Sequence, residues 1–384
     1  MNLRRLDAYF RRLVEEGLLP GAVVLVARGG EVVFQGVYGY LDPGRGLPMR
    51  EDALFRLYSM TKPWVSAVAL SFVEEGTLSL LDPVEKYLPE FSGLRVGREE
   101  GEGIVYEPLK RPLTVYDLLR HTAGLTYGVF FRSPVKGLYL EAGVDRFDLS
   151  REVFLERLAA LPLRFQPGET FEYGLATDLL GHLLEALAGR SLAELLEERL
   201  FRPLGMKDSG FQAKDPARLA QPFPKDPETG HSLRLLPVET PPPRYAGGMG
   251  GVGTAADYLA FLEALRLGRG ALSPTMAGFM VQDHLGSLYP EALKRGPEYL
   301  PGPGYSFGLG VAVRVEPMGY SPGALGEWTW AGFGGTFFFV DPLQEITALY
   351  LAQAPILLSV LEPEKALHSR LGARLQHAFR TLVY

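Results

Sequence analysis

Ser59 and Lys62, in the run Ser59-Met60-Thr61-Lys62, are the residues whose types and spacing best suit covalent chemistry. A serine hydroxyl is a weak nucleophile until a neighbouring base takes its proton. If the run opens a helix, a lysine three positions on lies on the serine's face one turn along, within reach of its oxygen. Held neutral by burial, its amine can be that base. The start of a helix adds unpaired N–H groups and a positive end, both of which favour developing negative charge. The spacing alone is unspecific, because Ser133-Pro134-Val135-Lys136 repeats it. Context separates the two copies. Ser59 follows the extended apolar residues Leu54, Phe55 and Leu57, and leads into Trp64, Val65, Val68 and Leu70. The second copy reads as a loop bounded by Gly137, with no long apolar helix behind it. On spacing and context, Ser59 is either a nucleophile or an ordinary N-cap serine.

The elements that must position this pair can be read on either side of it. Leu3, Leu6, Phe10 and Leu13 fall at helical spacing and predict an amphipathic first helix rather than a signal peptide. Two β-rich runs, 22–28 and 31–38, joined by Gly29-Gly30, predict a tight hairpin. The apolar helix after Ser59 is expected over 60–75, with Gly76 as its C-terminal cap and Pro63 harmless in its first turn. From about 77 to 290 the pattern is mostly helices between Pro/Gly loops, the clearest over 176–188. Strands return at 305–315, 328–330, 336–340 and 345–351, and a closing helix is expected over 363–382. Strands at both ends predict an α+β fold, with one antiparallel sheet flanked by N- and C-terminal helices and a mainly helical region inserted. The expected division is 1–76 with 290–384 as the sheet unit, and 77–289 as the helical one, part of which packs on the sheet.

Composition narrows the chemistry. The 384 residues are 47% hydrophobic and 22% charged, with a net charge of -6 and no long Lys or Arg run to draw nucleic acid. Cysteine is absent, which excludes disulfides, a cysteine nucleophile and thiolate metal sites. The six histidines form no His-Glu-x-x-His or similarly spaced pair, so neither a metal nor another cofactor is expected. No stretch reads as a membrane span, and a cytoplasmic location is expected; the oligomeric state is not legible. Gly319-Tyr320-Ser321-Pro322-Gly323 has the letters of a nucleophile elbow, but Pro322 lacks the N–H that an elbow's oxyanion hole needs. Gly248-Met249-Gly250-Gly251-Val252-Gly253 follows three prolines instead of a buried strand. It reads as a loop capped by Thr254 ahead of a helix over 255–265. His121 reads as the C-terminal cap of a helix.

Ser59-Met60-Thr61-Lys62 together with Tyr173-Gly174-Leu175 resembles the class C β-lactamase superfamily of penicillin-recognising serine hydrolases, and most of all its esterase branch, the family VIII carboxylesterases. The resemblance runs through Leu118-Leu119-Arg120-His121-Thr122-Ala123-Gly124-Leu125, Pro167-Gly168-Glu169-Thr170-Phe171-Glu172-Tyr173, Pro203-Leu204-Gly205-Met206 and the stretch from Gly250 to Asp257. It implies that Ser59 is acylated by a small-molecule ester, while Lys62 and Tyr173 manage the proton, with the Lys62 cation lowering the tyrosine's pKa. The third motif is matched at Trp330-Ala331-Gly332. This implies an oxyanion hole from the backbone N–H groups of Ser59 and Phe333, and a pocket lined by Leu175, Trp330, Ala331 and Gly332. The lactamase pattern has asparagine where this chain has Leu175 and lysine where it has Trp330. The loss of those polar partners implies weak or no β-lactamase activity and a pocket for neutral esters. Amide or D-amino-acid peptide hydrolysis, acyl transfer, and non-catalytic binding of a peptide or cell-wall fragment are the competing readings.

Overall fold

Gly29 and Gly30 take φ of 62° and 90°, the positive values that a two-residue hairpin requires, and join β1 (Gly21–Arg28) to β2 (Glu31–Asp42). The computed structural model describes the chain except residues 2, 102, 131–132, 234, 290–300 and 356–369. The remaining strands are β3 (Leu47–Pro48), β4 (Phe55–Arg56), β5 (Arg95–Glu100), β6 (Gly103–Pro108), β7 (Val252–Gly253), β8 (Tyr305–Phe307), β9 (Ala312–Arg314), β10 (Trp328–Gly332), β11 (Thr336–Asp341) and β12 (Ile346–Ala352). Eight of them form one antiparallel sheet in the order β3-β2-β1-β12-β11-β10-β9-β8, so the two ends of the chain meet where Val24 faces Tyr350. The sheet built from both termini is the one the pattern predicts.

Side chains alternate across that sheet. Ala22, Val24 and Val26 of β1 pack with Leu6, Phe10 and Phe379 under the helices Leu3–Glu15 and Gly372–Val383. Val23, Leu25 and Ala27 face the other way, into the larger core. That core surrounds the helix Thr61–Glu74, whose residues 61–72 are all buried. A helix that is apolar all round belongs inside. Each fully buried aromatic here, such as Trp64, contributes on the order of 1.5–3 kcal/mol relative to exposure.

Two expectations are corrected. The run 305–315 is not one strand. It breaks into β8 and β9 around a turn at Gly310 (φ 94°), where a Cβ would lie 2.3 Å from Ser66 Oγ on the central helix. Ser133 is not in a loop: it caps the helix Pro134–Ala142 by accepting the Lys136 N–H. The hairpin β5–β6 lies in the region expected to be mainly helical. Both its faces are largely exposed, so no apolar alternation announced it. The closing helix is described only over Gly372–Val383, and residues 363–369 of the expected run lie outside the described residues.

Candidate active site

The run of buried residues from Ala53 to Phe72 is interrupted at one position, Ser59, which is half-exposed. The backbone creates that exception. Tyr58 sits at φ 48°, a strained conformation for a bulky residue, in the short 3₁₀ turn Tyr58–Met60 that precedes the helix. The surroundings pin the turn from several sides. Thr61 Oγ1 donates to Tyr58 O (2.6 Å) and accepts from Gly251 N–H (2.8 Å). Thr336 Oγ1 donates to Leu57 O (3.2 Å), and Leu236 N–H donates to Tyr58 Oη (3.0 Å). Tyr258 Oη donates to Met60 O (2.7 Å). No side chain caps the helix, so Ser59 is not its N-cap.

Lys62 is fully buried, and its amine reaches Ser59 Oγ (3.2 Å), Tyr127 Oη (3.1 Å) and Gly248 O (2.7 Å). All three are uncharged. Burial pulls its pKa from 10.5 down to about 7, opposed by Asp178. The Asp178 carboxylate is itself committed to Arg244 (3.1 Å), a pair with no exposure on either side. Lys62 Nζ lies 4.6 Å from the centre of the Tyr173 ring, and the Ser59 and Trp330 side chains lie beside the Tyr173 phenol. Burial pushes the Tyr173 pKa up, outweighing the influence of those two neighbours. The expected depression by Lys62 is therefore not the resting arrangement: the lysine is the group brought near neutrality, and the tyrosine keeps its proton.

Trp330 packs edge-on against Tyr173 (5.3 Å between centroids) and Phe307 (5.2 Å). Gly332 is required where it stands, since a Cβ would lie 2.2 Å from Leu57 O and 2.3 Å from Thr336 Oγ1. That contact sets the end of β10, and with it Phe333, against the Ser59 turn; the Phe333 and Tyr58 rings are 5.7 Å apart. Two residues expected in the pocket lie elsewhere. Ala331 projects from the opposite face of the sheet, into the cluster under the terminal helices. Leu175 is fully buried in the main core at the start of the helix Ala176–Ala188. Leu25-like strand alternation accounts for the first, and the tight approach of Gly174 to Leu125 O and Thr126 Cα accounts for the second.

Three groups were missed by sequence reasoning. Tyr127 lies between two glycines that admit no side chain: at Gly124 a Cβ would meet Phe165 O at 2.3 Å, and at Gly128 it would meet Leu140 N at 2.3 Å. That bracket was the available signal. The Gly248 carbonyl comes from the glycine loop, where a Cβ would lie 2.1 Å from Asp178 Oδ2. His121 does stand just past the end of the helix Val115–Leu119, its N–H on Leu118 O (3.4 Å), but its ring does not cap that helix. At φ 56° its ring turns inward, lies tilted against Tyr173 with 4.8 Å between ring centres, and accepts the Gly174 N–H (3.4 Å). Burial, then the Lys62 charge, hold it well below its ordinary pKa, hence neutral. A cavity of about 730 Å³ has Val129, Phe147, Phe211, Leu236, Val238 and Gly250 among its walls, and neither Ser59, Lys62, Tyr173 nor Trp330 lines it. Among the described residues, no group of three or more His, Asp or Glu is placed to hold a metal ion, and no helix is long and apolar enough to cross a membrane.

A serine on a strained turn, with a buried amine one helical turn away and an antiparallel sheet alongside, fits a serine hydrolase of the β-lactamase and transpeptidase fold. The chain belongs to the beta-lactamase family, whose model matches residues 6–363. It is 36% identical to Esterase EstB of Burkholderia gladioli, over 90% of this chain and 89% of that protein. It is 30% identical to a lovastatin esterase of Penicillium rubens, over 91% and 92%. Among solved structures it resembles EstCE1, a hydrolase with promiscuous acyltransferase activity, with a TM-score of 0.82, 30% identity and coverage of 99% and 98%. The relationship to the family VIII esterases seen in the motifs is thus supported over nearly the whole chain.

Proposed function

We propose that this protein hydrolyses neutral carboxylic esters through an acyl-enzyme on Ser59. The observation that carries the reading is the Lys62 amine, buried, 3.2 Å from Ser59 Oγ and surrounded only by uncharged partners. Near neutral pH such an amine has a lone pair to accept the serine proton as Oγ bonds to the ester carbonyl carbon. The N–H groups of Ser59 and Phe333 receive the developing oxyanion, each donor of this kind being worth about 3–4 kcal/mol in the transition state. When the C–O bond breaks, the leaving alkoxide takes a proton from Tyr173, which recovers it from the Lys62 ammonium. Water then repeats the sequence in reverse and restores Ser59. A cytoplasmic location belongs to the same proposal and is read by fractionating cells that make the protein.

The test is hydrolysis of p-nitrophenyl butyrate by the wild type and by Ser59→Ala. Hydrolysis that disappears in the variant supports the reading; hydrolysis that survives contradicts it. Nitrocefin should turn over slowly or not at all, since Trp330, packed against Tyr173, offers no charge to a β-lactam's carboxylate, and a rate near that on simple esters would count against the substrate class. Acyl transfer to an alcohol is the second reading. The likeness to EstCE1, a hydrolase with promiscuous acyltransferase activity, favours it. Adding an alcohol and measuring the ester formed against the acid formed separates transfer from hydrolysis.

A further inference from the structure

Glu172 precedes Tyr173 and Thr126 precedes Tyr127, and the two preceding residues touch: Thr126 Oγ1 donates to Glu172 Oε1 at 2.5 Å. Both are buried, Glu172 at 3% exposure and Thr126 at 0%. The other oxygen of the carboxylate accepts from Arg164 Nη1 (2.9 Å), and Lys136 Nζ lies 3.3 Å from Oε1. The backbones are equally close. Glu172 N–H donates to His121 O (2.8 Å), and Gly174 has no room for a Cβ against Leu125 O (2.4 Å) and Thr126 Cα (2.5 Å). The two tyrosines approach Lys62 from separate segments, 121–128 and 171–175, and the Tyr127 and Tyr173 rings stand 5.6 Å apart. We infer that Glu172 is a positioning residue, whose carboxylate straps the Tyr127 segment to the Tyr173 segment and so fixes both phenols around the Lys62 amine. The inference rests on the proposed esterase reading and adds to it a residue that touches neither substrate nor Ser59.

The expected consequence follows from how Lys62 is kept near neutrality. Burial is the leading cause of its lowered pKa, and the walls that bury it include Tyr127, Tyr173, the backbone at Gly248 and the Asp178–Arg244 pair beyond, with His121 behind Tyr173. If the strap is cut, the two tyrosine segments separate and water reaches the amine. Its pKa then rises toward the ordinary lysine value, and a higher pH is needed to make it a base.

The experiment measures kcat, KM and the acid limb of kcat/KM on p-nitrophenyl butyrate for the wild type, Glu172→Gln and Thr126→Val, with Ser59→Ala as the control and thermal midpoints for all. Glu172→Gln should lower kcat by about 10- to 100-fold, as small misplacements of reacting groups do, with KM within about twofold. Its acid limb should move to higher pH. Thr126→Val is close in volume and leaves every charge in place; it should shift kcat and the limb in the same directions by smaller amounts, near the wild-type midpoint. A Thr126→Val enzyme with wild-type kcat and an unmoved limb overturns the inference, whether or not Glu172→Gln folds. If Ser59→Ala keeps its activity, the esterase reading itself fails; if only the strap variants behave as wild type, that reading stands and the strap does not.

Discussion

The two Ser-x-x-Lys runs of this chain have the same spacing, and both lysines are buried, yet the fold makes opposite use of them. Ser133 is extended (φ -154°) and caps its helix, so its hydroxyl is occupied by the Lys136 N–H. Lys136 lies 3.3 Å from the Glu172 carboxylate, in a buried ion pair. Ser59 stands on a strained turn after Tyr58 (φ 48°), outside any cap, and Lys62 meets a hydroxyl, a phenol and a carbonyl. The carboxylate whose charge acts on Lys62, on Asp178, is committed to Arg244. A buried lysine is thus an ion-pair partner or a base according to whether a carboxylate is within reach, and spacing says nothing about which.

That contrast can be broken most sharply at the serines. Ser59→Ala should lower kcat/KM on a simple ester by at least about 10⁴-fold, the scale of losing a nucleophile, measured by initial rates. Next come the lysines. Lys62→Met should lower kcat by at least about 10³-fold, yet raise the thermal midpoint at pH 7. The sign follows from linkage: a lysine whose pKa falls from 10.5 unfolded to about 7 folded destabilises the fold fully below pH 7, and this penalty is gone above pH 10.5. The advantage of Lys62→Met should therefore shrink as pH rises through that window, which calorimetry at several pH values would show. Lys136→Met should do the reverse, losing about 3 kcal/mol of stability by leaving Glu172 short of a buried partner. A smaller effect is expected from Tyr127→Phe, which removes one of the three Lys62 contacts. It should lower kcat about tenfold and leave the fold intact, as read by rates and by circular dichroism. Ser133→Ala should be mildest, with unchanged kcat/KM and about 1 kcal/mol less stability from the lost cap.

The residues whose role depends on local sequence were the legible ones. The helix Ala176–Ala188 was read to the residue from its leucine spacing, and the Gly29-Gly30 turn from its need for positive φ. Ser59, Lys62 and Tyr173 were singled out by motif, and the structure brings them together. What could not be read depends on packing between distant segments. Tyr127 and the Gly248 carbonyl reach Lys62 from loops 65 and 186 residues away along the chain, with no periodicity to mark them. Ala331 was misassigned because the strand's two faces both meet buried layers, so apolar alternation gave no sign of which side held the site.

The most direct test is to label the protein with a fluorophosphonate at several pH values and map the modified peptide. The account predicts a single adduct on Ser59, formed at a rate that rises through about pH 7 as Lys62 loses its proton. An adduct on Ser133, or labelling of Ser59 at a rate indifferent to pH between 5 and 9, would contradict it.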